Sequence, residues 1–168
     1  MSYGLLLLRV VIGSIFAGHG AQKAFGWWDG PGPAGTRGWL GSLGFRPAGL
    51  FAALVIAQEL GGGLLLAFGF LTPLAALAVT SSMVVAVALV HWKNGFWISK
   101  GGFEFNLALS AGAIALAATG PGRFSIDRAL GWDDNLSGAR WALGAVVVAA
   151  VGGFLAIASR KKEAVSGT

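Results

Sequence analysis

The chain has no cysteine, which excludes disulfides, a thiolate nucleophile, iron–sulfur ligation and any CxxC redox step carried by the protein itself. It is also poor in charge. Only 11% of its 168 residues are charged, against about 25% in an average soluble domain, while 55% are hydrophobic. A chain of this composition is built for lipid as its solvent. No phosphate-binding loop and no G-x-S-x-G nucleophile elbow are present. Its two histidines show no H-x-x-x-H or E-x-x-H spacing, so no metal site is expected. The net charge of +5 comes without basic runs interleaved with aromatics, and nucleic acid is not an expected partner.

What the chain has in excess is glycine, 28 residues, which in a bilayer allows helix backbones to approach closely. Five apolar stretches are long enough to cross a hydrocarbon core of roughly 30 Å: Gly4 to Phe25, Pro47 to Phe70, Pro73 to Trp92, Phe103 to Gly120 and Ala139 to Ala158. The fourth is the shortest. All seven tryptophans lie at or just beyond the ends of these stretches, where indole sits best at the headgroup level. The expected fold class is all-α, a transmembrane helical bundle. The first stretch is read as a retained span and not a cleaved signal, since it lacks a basic leader and contains Arg9.

Lys23, Arg37, Arg46, Lys93, Lys100, Arg160, Lys161 and Lys162 fall on one side of the bundle, and Arg123, Arg128 and Arg140 on the other. The positive-inside rule then puts the N-terminus outside and the C-terminus in the cytoplasm. Between the first two spans, Gly26 to Arg46 is rich in Gly, Pro and Trp and reads as a tryptophan-anchored interfacial loop with one short helix, a lid over the bundle being the alternative. After the fourth span, Ser125 and Asp127 are placed to cap a short amphipathic helix along the membrane surface.

An ionisable group inside a span is costly, so each one needs a partner, water or a task. Arg9 lies in the first span and Glu59 halfway along the second, followed at once by Gly61, Gly62 and Gly63; the two are candidates for an intramembrane ion pair. Gly13 and Gly20 lie near the Arg9 stripe and offer a surface for close packing. Nearer the basic side, His19, Gln22 and Lys23 share one helix face at i, i+3 and i+4. His91 closes the third span there, and Glu104 and Asn106 open the fourth. Such a layer suits a quinone headgroup, whose carbonyls want donors such as His or Lys, with Glu104 able to exchange protons; the alternative is that Lys23 snorkels to the interface and His91 simply caps a helix near Trp92. Which residues, if any, are catalytic is left open.

Three segments, LLLLRVVIGSIFAGHGAQKAFG, AQELGGGLLLAFGFLTPLAA and GGFEFNLALSAGAIALAATGPGRFSID, together resemble the DoxX family of small bacterial membrane proteins, over about Leu5 to Asp127. The resemblance rests on Arg9, His19, Gly20 and Lys23, on Glu59 with Gly62 and Gly63, and on Glu104, Gly120, Gly122, Ser125 and Asp127. It implies a four-helix bundle in the bacterial inner membrane, over residues 1–128. Residues 129–168 then add a fifth span and a basic cytoplasmic tail, which puts the termini on opposite sides. It further implies membership of an oxidoreductase assembly, such as a thiosulfate:quinone oxidoreductase or an oxidative-stress complex. Quinone is then the candidate cofactor, none being covalently attached, and the partners are the bilayer and a larger membrane complex or further copies of the chain. The alternatives are a non-catalytic scaffold that docks a partner complex, and a small-solute or proton pathway.

Overall fold

A computed structural model of the protein describes residues 2–161; Lys162 and the rest of the basic tail lie outside the described residues. Among the described residues the regular structure is helical throughout. Four helices are long and apolar enough to cross a membrane: α1 (Ser2–Phe25), α3 (Ala48–Phe68), α4 (Thr72–Asn94) and α7 (Ala139–Ala158). A fifth apolar helix, α5 (Glu104–Thr119), is shorter, as its sequence predicts. The protein is a multi-pass integral membrane protein. The short α2 (Gly32–Ser42) lies in the loop between α1 and α3, and the single turn α6 (Ile126–Ala129) comes after α5.

Polarity is arranged for lipid. Large apolar side chains such as Leu7, Leu143 and Phe154 cover the outside, each more than 60% exposed. The interior is filled by Ile12, Phe16, Leu66, Val79 and Leu116 among alanines from α4 and α5. α7 joins this packing through Ala142, Ala145, Ala149 and Gly153, the last lying against Val84 of α4. The seven tryptophans are all at least one-third exposed, as an interfacial belt requires.

The closest approach is between α1 and α3, which run antiparallel with their backbones in contact. A Cβ added at Gly13 would lie 2.6 Å from the Ala67 nitrogen and the Gly63 oxygen, and one added at Gly20 would overlap the backbone of Leu60. Only hydrogen fits at these positions. This contact sets the register of the two helices, placing Gly20 beside Leu60 and Gly13 beside Gly63.

The region after α5 departs from a surface amphipathic helix. α6 is one turn, capped as expected by Ser125, whose hydroxyl accepts the Arg128 N–H. Asp127 is fully buried and caps a different helix: its carboxylate accepts the N–H groups of Leu71 and Thr72 and the Thr72 hydroxyl, at 2.7–3.0 Å. The Asp127 N–H in turn donates to the Gly69 carbonyl. An acidic cap on the positive end of α4 satisfies orphan donors that lipid cannot. It also holds the tight α3–α4 turn, in which Leu71 takes a left-handed conformation with φ 49°.

Gly20→Ala lowers stability in detergent by about 1–3 kcal/mol, the usual cost of overpacking. Gly18→Ala, at a position with nothing within 4 Å, leaves it unchanged or slightly raised; thermal unfolding followed by circular dichroism compares the two. Asp127→Ala costs at least about 1.5–3 kcal/mol in the same measurement, the scale of one hydrogen bond to a charged group.

Candidate functional site

Register decides the partners of the buried charges. Arg9 packs beside Gly69, ten residues beyond Glu59, or roughly 15 Å along α3 at 1.5 Å per residue. The Arg9–Glu59 pair expected from sequence therefore does not form. Arg9 donates instead to the Pro121 carbonyl at 3.0 Å. Glu59 accepts from Lys23, Nζ to Oε2 at 2.5 Å, and from the Ser82 hydroxyl at 2.9 Å. Lys23 sits two residues from the end of α1, and helical side chains tilt toward the helix N-terminus, so its ammonium points back into the bilayer to meet the carboxylate. Both oxygens of Glu59 are occupied, while the ammonium keeps two further donors.

This ion pair lies in the wall of a cavity of about 390 Å³ enclosed by α1, α2, α3, α4 and α5. Most of the lining is apolar, with Phe16, Leu40, Val55, Val85, Leu89 and Leu109 among its residues. Into it converge His19 and Lys23 from α1, Gln58 and Glu59 from α3, Ser82 and His91 from α4 and Asn106 from α5. An apolar chamber with a few convergent polar groups is the usual form of a small-molecule site.

Two irregular turns aim these groups. α3 carries a π-helical turn over Ala57–Gly61, the sequence AQELG, and α4 carries one over Val87–His91, VALVH. Each inserts a residue into the helical ladder and rotates the rest of the helix about its axis, and such bulges recur at functional sites. One supplies Gln58 and Glu59 to the cavity, the other Leu89, Val90 and His91. The His91 ring bonds the Gly101 carbonyl through Nδ1 at 2.8 Å. A carbonyl only accepts, so Nδ1 carries a proton, and Nε2 is the ring nitrogen left without a partner among the described residues. His19 is exposed and makes no hydrogen bond among the described residues.

Of the layer expected near the basic side, His19, Lys23, His91 and Asn106 share the cavity with Glu59, which was placed elsewhere. Gln22 does not line it; the turn over Trp27–Asp29 brings Gly30 onto its backbone instead. Glu104 does not line it either. Its carboxylate folds back to accept the Ile98 N–H at 2.9 Å, and it supports the cavity only by holding Ile98, which does line it. Asn106 is buried, its amide 3.1 Å from the Met83 sulfur.

Several lining residues carry no sequence signal of a site. Ser82 is one hydroxyl in an apolar span. Trp39 reads as part of the interfacial belt, yet with Leu40 it covers the cavity from α2. The loop between α1 and α3 is thus more than a surface connection: Leu40 and Phe45 are buried against Ala52, with Leu89 and Ala156 packed beside them. The end of α7 closes on the same loop, where the Lys161 N–H donates to the Gly44 carbonyl and the Arg160 guanidinium lies over Phe45.

The sequence matches relatives over most of its length. An Escherichia coli (strain K12) protein named "Inner membrane protein YqjF" is 35% identical over 127 residues, covering 76% of this chain and 92% of its own. The Mycobacterium tuberculosis membrane protein Rv3486 is 32% identical over 146 residues, 81% of this chain and 86% of its own. A Bacillus subtilis (strain 168) protein named "Putative oxidoreductase CatD" is 36% identical over 125 residues, 74% of this chain and 84% of its own. No solved structure matches. The DoxX family model matches residues 4–92, which span α1 to the cavity-lining part of α4 and include the Lys23–Glu59 pair. With more than half of its length matched, the chain belongs to the DoxX family.

Proposed function

We propose that the protein is a membrane subunit of a quinone-linked oxidoreductase, and that the cavity between α1, α3, α4 and α5 takes the quinone headgroup. The observation that carries the reading is the convergence of His19, the Lys23–Glu59 pair, His91 and Asn106 on one apolar chamber in the membrane. The name of the Bacillus subtilis relative as an oxidoreductase supports it from outside the structure.

Reduction of a quinone consumes two electrons and two protons at its two carbonyl oxygens. The chain's own groups are suited to the binding and the protons. Lys23 and Asn106 supply donors for carbonyl oxygens, and Glu59, linked to Lys23, holds a charge that a proton can neutralise. His91, fixed by Gly101, presents Nε2 at the basic end of the chamber. Trp39 and Leu40 restrict the entry of water from the loop side. Without cysteine the chain carries no thiol redox centre, and in this reading the electrons come from a partner protein. By the positive-inside rule, the cavity end of the bundle faces the cytoplasm.

Titration of the purified protein with a short-chain benzoquinone, followed by tryptophan fluorescence quenching, gives saturable binding that weakens about tenfold in Asn106→Leu, the worth of one hydrogen bond at a desolvated site. Wild-type protein with no saturable quenching, or an Asn106→Leu variant with unaltered affinity, overturns the proposal. Lys23→Met leaves the buried Glu59 carboxylate without its cation and lowers stability by about 3–5 kcal/mol, and Glu59→Gln, which leaves only the part-buried Lys23 unpaired, costs less. The double variant recovers much of that stability, and it does not recover quinone affinity.

A further inference from the structure

On the opposite face of the membrane from the quinone cavity, we infer that Arg9 and Arg123 form a binding site for the phosphate of an anionic phospholipid, whose acyl chain lies in the groove between α1 and α3. The groove is open and holds about 660 Å³; Leu6, Val10, Leu64 and Phe68 line it along the two helices, and Arg9 and Arg123 line it toward the loop after α5.

Arg9 is 3% exposed, and its Nε has no hydrogen-bond partner among the described residues. Its bond to the Pro121 carbonyl uses Nη1 alone. A buried guanidinium donor left unmade at a lipid-facing groove is costly, and an anion supplied by the membrane would meet it. The depth is right. The Arg9 side chain tilts toward the start of α1, where the Tyr3 and Phe124 rings lie 5.0 Å apart at the interface, and Arg123 sits over the Phe124 ring.

The charge lining the groove is favourable as well. Among the described residues, Asp127 is the one buried carboxylate near Arg9, and its oxygens are committed to Leu71 and Thr72 at the start of α4. Arg128 is neutralised by Asp133 at 2.9 Å. Asp133 and Asp134 lie with Arg123 and Arg128 in the adjoining pocket, and the charged side chains that line the groove itself are Arg9 and Arg123. An apolar trough leading up to that site suits a chain with a phosphate at its end, whereas free phosphate would leave the trough unfilled.

The test uses delipidated full-length protein in neutral detergent, titrated with phosphatidylglycerol or phosphatidylcholine, with bound lipids counted by native mass spectrometry. One phosphatidylglycerol binds at least tenfold tighter than phosphatidylcholine. Arg123→Gln, at an exposed position, weakens it about fivefold, while Arg128→Gln on the same face leaves it unchanged. Millimolar inorganic phosphate does not displace it. Equal affinity for the two lipids, equal losses in Arg123→Gln and Arg128→Gln, or full displacement by inorganic phosphate overturns the inference. Arg9→Lys adds a second reading, since it keeps the charge and removes the Nε donor; unchanged binding there would also count against the site as drawn.

Discussion

The contact between the backbones of α1 and α3, possible only because Gly13, Gly20 and Gly63 lack side chains, fixes how far one helix is slid along the other. The placement of the charged groups on these two helices depends on that setting. It brings Lys23 within reach of Glu59, leaves Arg9 beside Gly69, and opens the cavity on one side of the crossing and the lipid-facing groove on the other. In a membrane, where lipid tails are as apolar as leucine, close packing of this kind replaces the hydrophobic effect as the force between helices.

Two charged systems thus stand at opposite ends of the same helix pair. At the basic end, Lys23, Glu59 and Ser82 close a polar network inside an apolar chamber, with both carboxylate oxygens satisfied. At the other end, Asp127 is consumed by capping α4, and Arg9 is left with an unfilled donor. The first closes on itself, with both carboxylate oxygens satisfied inside the bundle; the second leaves a buried guanidinium donor without a partner among the described residues.

The π-helical turns lie where the spans line the cavity. In α3, Val55, Gln58 and Glu59 reach it at the ordinary i, i+3 and i+4 spacing, with the turn AQELG spanning the last two. In α4 the turn in VALVH brings His91, nine residues on from Ser82, onto the face that Ser82, Val85, Ala86 and Leu89 line at helical spacing. Both sit where the bundle must open to form the chamber, and α2 closes that opening with Trp39 and Leu40.

The spans, their tryptophan borders and the shortness of α5 were all legible in the sequence, because the bilayer imposes length and apolarity on each segment independently of its neighbours. So was the burial of Arg9 and Glu59, since a charge within an apolar run has few other places to go. Which charge meets which was not, for pairing depends on the slide and rotation of two helices, and that is set by glycines touching across the interface. The same reason hid Ser82, Gln58 and Trp39 and removed Gln22 and Glu104 from the cavity: their roles depend on local turns and on loops folding back, not on residue type. Asp127 reads from sequence as a cap for its own short helix, and only the tertiary fold directs it to α4, 55 residues earlier, where three donors had no water to turn to.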